Sequence, residues 1–228
     1  VDSSSRGDRR SDSKGAVEAR GPGEAGKCGD RSFVDSFWPP ARFGRKKGGW
    51  AVRVEATNRV RLVFSLFDAN ANGVLEADDF ELMAGRVIEA APDSDAAAKS
   101  SMVAAFRRYW STLSAELDAD GDGLITFDEY AACVLSPARF DLALGDFAES
   151  LAALGDPDGD GLIERPLFMA LMTAIGFEPP NIDALFDAFG PSESDRIDVT
   201  SWVVGIKDYY SPEKAGIPGD CLVGSAAV

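Results

Sequence analysis

Residues Asp118–Glu129 read DADGDGLITFDE, and this stretch decides how the rest of the chain is read. Acids stand at the first, third and fifth positions (Asp118, Asp120, Asp122), with Gly123 at the sixth, where the backbone must turn sharply. Leu124 offers a carbonyl at the seventh position and Thr126 can hold a water at the ninth. Glu129 can close the shell with two oxygens at the twelfth. A hard cation such as Ca2+ takes roughly six to eight oxygens at about 2.3–2.6 Å, and this spacing supplies them from one turn of chain. A solvated acidic turn does not require all of these matches together, so the stretch reads as a calcium-binding EF-hand loop.

Used as a ruler, the loop exposes a repeat. A second copy spans Asp68–Asp79 (DANANGVLEADD), with Asp68, Asn70, Asn72, the Val74 carbonyl, Glu76 and Asp79 at the ligand positions and Gly73 at the turn. A third spans Asp156–Leu167 (DPDGDGLIERPL), offering Asp156, Asp158, Asp160, the Leu162 carbonyl and Glu164. A fourth, Gly190–Ser201, keeps only the frame. Position eight is Leu75, Ile125, Ile163 and Ile197 in the four copies, and the residue after position twelve is Phe80, Tyr130, Phe168 and Trp202. The first is the short-strand residue that pairs two loops. The second anchors the exiting helix to the core. Four hands in two pairs follow.

Helical patterning flanks the loops. Val60, Val63, Phe64 and Phe67 recur at helical spacing before the first loop, and Phe80, Met83, Val87 and Ile88 after it. Thr126 and Glu129 match a capping box that opens the exiting helix. Pro166 falls in the first turn of its helix, where a missing N–H costs little. Phe140, Leu144, Phe147 and Leu151 read as a core stripe. The long interval between the first two loops predicts an extended helix over Asp95–Leu117. The fold class is therefore all-α, with short inter-loop β-strands and a disordered N-terminal tail. Residues 1–50 form a basic Gly/Ser/Arg leader, 51–138 the first pair of hands, and 139–228 the second pair with a closing tail.

The four loops differ in chemistry. Asp118–Glu129 has four acids among its ligand positions, Glu129 closing the shell, and should bind most tightly. In Asp68–Asp79 the twelfth ligand is Asp79, one methylene shorter than Glu, which favours six-coordination and lets Mg2+ compete. Asp156–Leu167 ends in Leu167, which cannot ligate, so binding there is weak or absent. Gly190–Ser201 places Gly190, Ser192, Ser194 and Ser201 at ligand positions and Asp195 at the turn, and reads as a structural hand without metal.

Charge and composition narrow the function. The chain of 228 residues carries a net charge of −15, which argues against nucleic acid and anionic membranes as partners. That charge is uneven, with a net of +4 over residues 1–50 and −19 over residues 51–228. Cys28, Cys133 and Cys221 are odd in number and widely spaced, fitting neither a disulfide framework nor a zinc site. No apolar run approaches the roughly 20 residues of a membrane helix, and the first residues lack the apolar core of a secretory signal. A cytoplasmic monomer is the expectation. The chain has no histidine, and no nucleophile–base pair, phosphate loop or metal–water motif suggests an enzyme.

Four hands, a long first interval, Asp79 closing the first loop and impaired later loops resemble the sarcoplasmic calcium-binding proteins, most of all their actinobacterial calerythrin-type relatives. The tail from Tyr209-Tyr210-Ser211-Pro212 through Pro218-Gly219-Asp220 to Leu222-Val223-Gly224 is similar to the closing segment that in this family folds back over the helices. The likeness covers roughly Ala51–Gly224. It departs in one respect: many relatives lose the second loop, whereas here the second is the best and the fourth is lost. The resemblance implies a calcium buffer, store or transporter. One alternative is a sensor that signals to a protein partner, using the Phe33–Trp38 segment of the leader. Against this, only Met83, Met102, Met169 and Met172 could furnish an adaptable groove. Another alternative, a carrier of a hydrophobic small molecule, follows from the family's likeness to luciferin-binding proteins and photoproteins. The latter use histidines that this chain lacks.

Overall fold

A computed structural model describes residues 52–118 and 121–224. The leader and its expected disorder lie outside the described residues, as does Asp120. Eight helices are described: α1 (Val54–Phe67), α2 (Ala77–Glu89), α3 (Ala96–Leu117), α4 (Phe127–Val134), α5 (Pro137–Leu154), α6 (Arg165–Ile175), α7 (Pro179–Ala188) and α8 (Val199–Tyr209). Two short strands, β1 (Leu162–Glu164) and β2 (Arg196–Asp198), lie in the second half, and a 3-10 turn over Pro218–Val223 closes the chain.

Local chemistry sets the ends of these helices. Asp95 caps α3 by accepting a hydrogen bond from Ala98 N at 2.6 Å, so the long helix expected over the first interval begins where its cap is. Thr126 and Glu129 form the expected capping box at α4. Pro166 sits in the first turn of α6, which ends at Gly176, with a left-handed φ of 110°. A side chain there would be strained, and its Cβ would come within 3.2 Å of Leu66.

The loops pair as the repeat predicts. Leu75 and Ile125 exchange backbone hydrogen bonds of 2.8 and 2.9 Å as an isolated antiparallel bridge. In the other pair β1 and β2 run antiparallel, with Leu162 opposite Asp198, Ile163 opposite Ile197 and Glu164 opposite Arg196. The apolar residue at position eight is buried in all four loops because alternate strand residues face opposite sides. Phe80, Tyr130, Phe168 and Trp202 are also buried. Phe67 packs on Phe80 at 5.3 Å between ring centroids, and Phe168 on Trp202 at 4.9 Å.

One core runs through both pairs. The α3 and α5 helices carry it across, with Phe106 edge-on to Phe147 at 5.2 Å and Tyr109 edge-on to Phe140 at 4.6 Å. Phe140, Leu144, Phe147 and Leu151 are all buried in it. So are Met83, Met102 and Met172, while Met169 packs partly buried against it. Where the halves meet, an apolar cavity of about 60 Å³ is lined by residues that include Val63, Phe67, Phe147, Met172, Trp202 and Leu222. It is smaller than the roughly 150 Å³ void that accepts benzene in an engineered core. No described helix is long and apolar enough to cross a membrane.

The closing segment folds back as the family likeness implies. Arg59, fully buried on α1, holds it. Its guanidinium donates to Tyr209 O at 2.6 Å, Ser211 O at 3.0 Å, Lys214 O at 3.1 Å and Asp220 Oδ1 at 2.6 Å. In return Tyr209 donates its hydroxyl to Arg59 O at 2.9 Å.

Candidate metal centres

Each loop lies between two helices of a hand, and its geometry follows from carboxylates folded back on backbone amides. In the first, Asp68 accepts Asn72 N (3.0 Å) on Oδ1 and Gly73 N (2.9 Å) on Oδ2. Gly73 turns the chain with a φ of 88°. Asn70 Oδ1 accepts Asn72 N at 2.9 Å, and Asn72 Oδ1 accepts Val74 N at 3.0 Å. Both asparagine amides donate to Glu76 Oε1, at 2.8 and 3.1 Å. Asp79 is buried and closes the ring, with Oδ1 accepting Ala69 N and Oδ2 accepting Glu76 N. Burial lifts its carboxyl above the usual carboxylate range; the two amides pull the other way, and the Asp68 and Glu76 charges add to the rise.

In the second loop Asp118 Oδ2 accepts Gly123 N at 3.0 Å, and Asp122 Oδ1 accepts Leu124 N at 2.9 Å. Glu129 Oε2 accepts both Thr126 N (2.9 Å) and the Thr126 hydroxyl (2.7 Å). Asp118 Oδ1 is buried and finds no hydrogen-bond donor among the described residues. An acceptor left this way costs free energy, which a hard cation at the centre of the loop relieves. The donors are all oxygens, as calcium requires. The residues fit the ion.

Among the described residues, the third loop brings three acids together. One carboxylate oxygen each from Asp156, Asp158 and Asp160 lies within 4.8 Å of the others. Asp156 Oδ2 accepts Gly161 N at 3.0 Å, as in the first two loops. Glu164 stands exposed in β1, and Leu167, at the closing position, packs against the core. The shell therefore lacks its final ligand.

The fourth loop is held by arginine. Asp195 takes a left-handed φ of 57° where the other loops have glycine, and its two oxygens each accept Arg165 Nε at 2.9 Å. The same guanidinium reaches Asp183 (3.1 Å) and Asp187 (2.6 Å) on α7 and lies 4.3 Å from the Phe186 ring centroid. Burial works against its charge, but hydrogen bonds to Asp187, Asp195 and Asp183 outweigh it and hold the group firmly protonated. In the reverse direction, Arg196 of the fourth loop donates to Asp160 Oδ2 of the third at 2.8 Å and to Ser194 Oγ at 3.2 Å.

Loop frames do not reveal these arginines. Arg165 stands at loop position ten, which supplies no ligand, and Arg196 at position seven, where calcium would use only the carbonyl. Only their placement across the paired loops, once the Ile163–Ile197 register is drawn, brings them beside the facing acids. Arg59 had a plainer signal, an arginine on the apolar stripe of Ala56, Val60 and Val63.

The chain is 24% identical over 162 residues to calerythrin of Saccharopolyspora erythraea, covering 68% of this chain and 92% of that protein. It is 30% identical over 115 residues to sarcoplasmic calcium-binding protein 1 of Astacus leptodactylus, covering 46% of this chain and 60% of that one. A Streptomyces coelicolor calcium-binding protein, solved as a basis for prokaryotic calcium-mediated regulation, superposes with a TM-score of 0.56 at 21% identity, over 70% of this chain and 99% of that chain. The chain is thus similar to calerythrin and to a sarcoplasmic calcium-binding protein, and its fold resembles that of a prokaryotic calcium-binding protein. No protein-family model matches it. Its relatives are calcium-binding proteins, not enzymes, in line with the expectation that this four-EF-hand chain is no enzyme.

Proposed function

We propose that the chain is a calcium buffer or store that holds the ion in the first pair of hands. Asp68, Asn70, Asn72, Glu76, Asp79 and the Val74 carbonyl serve the first site. Asp118, Asp120, Asp122, Thr126, Glu129 and the Leu124 carbonyl serve the second. The calcium-binding relatives, and Asp118 Oδ1 without a donor among the described residues, support the ion. Asp79 accepts two loop amides on a short side chain, which supports Mg2+ as a competitor at the first site.

The observation that carries buffering over sensing is the Arg59 clamp. A sensor exposes a Met-rich groove when it binds calcium. Here the closing segment is bound to α1 by four hydrogen bonds from a fully buried guanidinium, and three of the four methionines are core residues. Opening would break the clamp and leave those partners unpaired.

Calorimetric titration of the metal-free protein with calcium, with and without about 1–2 mM Mg2+, tests the reading when an apolar-surface dye is followed in parallel. Two tight sites, one weakened by Mg2+, with no rise in dye binding are expected. A calcium-dependent rise in dye binding, with sites indifferent to Mg2+, would make the protein a sensor with a protein partner.

A further inference from the structure

The third loop resembles a calcium site in its opening acids but already has a cation. The β1–β2 register sets Arg196 opposite Glu164 of that loop, and Ser194 Oγ fixes its guanidinium through Nε. Nη1 then reaches Asp160 Oδ2 at 2.8 Å. Asp160 Oδ1 is meanwhile committed to Leu162 N. Both oxygens of the fifth-position ligand are thus engaged, one by the loop itself and one by a charge delivered from the neighbouring hand. Besides the missing closing carboxylate at Leu167, the seated guanidinium sets this loop apart from what is described of the first two.

We propose that Arg196 is a tethered competitor that sets the calcium affinity of the third loop by occupying the ligand oxygen of Asp160. For Asp160 to turn that oxygen to a metal, the guanidinium must leave. Loss of the ion pair and the approach of two like charges then both weaken the site. The device also explains how the second pair holds together when its loops lack closing acids. Arg165 reaches from the third loop to Asp195 of the fourth, and Arg196 reaches back to Asp160. Metal and arginine therefore exclude one another at Asp160, and calcium loading of the third loop costs the pair one of its two cross-loop bridges.

The inference rests on the reading of these loops as calcium sites but has its own readout. Gly73, Gly123 and Gly161 each donate their amide to the first-position carboxylate of their loop, at 2.9, 3.0 and 3.0 Å. Their three amide resonances report the three loops separately in one calcium titration of the full chain. In Arg196→Gln, half-saturation at Gly161 should fall by about three- to fivefold, the scale of a partly exposed ion pair, while Gly73 and Gly123 are unchanged. Arg196→Lys, which keeps the charge, should stay near the parent chain. An unchanged midpoint at Gly161 in Arg196→Gln would overturn the proposal, as would no response there or a lysine variant that binds as tightly as the glutamine one. Failure of the first two loops would show instead at Gly73 and Gly123. A Leu167→Glu background, which restores the closing carboxylate, repeats the comparison where the third loop binds more strongly. There too the added Arg196→Gln must tighten Gly161, or the proposal fails.

Discussion

Arg59 and Asp220 lie 161 residues apart in sequence and 2.6 Å apart in space. The arginine side chain is fully buried and its partner 29% exposed. This ion pair joins the first helix, which leads straight into the first loop, to the segment that closes the fold. Because Arg59 also satisfies three backbone carbonyls, truncating it leaves acceptors unpaired, the buried Tyr209 carbonyl among them. Arg59→Met should destabilise the metal-free protein by roughly 3 kcal/mol, at the low end for breaking a buried pair because Asp220 can rehydrate. Arg59→Lys should recover only part of this, since an ammonium cannot span the fork of partners. Chemical denaturation checks both, and dye binding should rise in Arg59→Met without calcium.

The backbone exchange between Leu75 and Ile125 makes the first two loops one mechanical unit. A loop that tightens on its ion moves position eight and with it the partner strand, so the sites should fill cooperatively. Asp118→Asn, which weakens the second loop at its first ligand, should also raise the calcium concentration needed at the first. The Gly73 amide provides the measurement. If it titrates as in the parent chain while Gly123 loses affinity, the loops are independent.

Most of the scaffold was legible in the chain because EF-hand loops have a rigid register. Once Asp118–Glu129 is aligned, Leu75, Ile125, Ile163 and Ile197 must face inward, and their pairing follows. Asp95 and the Thr126–Glu129 box are local signals and appear where the helices begin. The candidate loop residues are equally local, and Asp79 and Asp118 fold back on amides of their own loops. What stayed hidden depends on contacts distant in sequence. Arg165 meets Asp195 across 30 residues, Arg196 meets Asp160 across 36, and Arg59 meets Asp220 across 161. No periodicity encodes which acid an arginine will choose.

Arg165 ties the turn of the fourth loop to α7, so its loss should act on the second pair alone. Three partly exposed carboxylates lose their common partner, and Asp195 keeps its left-handed backbone without compensation. Arg165→Gln should cost about 1–2 kcal/mol, the scale of a small network of exposed pairs. Asp195→Gly should cost less, because it relieves the backbone while losing only one of the three acids. Hydrogen exchange at the β1–β2 amides should quicken in both variants, and that at Leu75 and Ile125 should not.

Tyrosine should set the behaviour of the fold at alkaline pH. All four tyrosines of the chain, Tyr109, Tyr130, Tyr209 and Tyr210, are buried. Tyr109 shares its hydroxyl with those of Tyr130 at 2.8 Å and Tyr210 at 3.2 Å. Burial raises every one of these phenols, those of Tyr109, Tyr130 and Tyr209 well above the usual 10. Above that pH the unfolded chain loses phenolic protons that the folded chain retains. The folded state then binds more protons, so stability present below pH 10 is lost as pH rises. Each phenol held back contributes a loss of about 1.4 kcal/mol per pH unit. Tyrosinate absorbance should therefore stay absent near pH 10 and then rise together with the loss of helical circular dichroism, in one transition. A gradual rise at ordinary phenol pH with the helices intact would show that the cluster is open to water. Tyr130→Phe should remove one titrating group and shift the transition to higher pH, provided Tyr109 keeps Tyr210 as its partner.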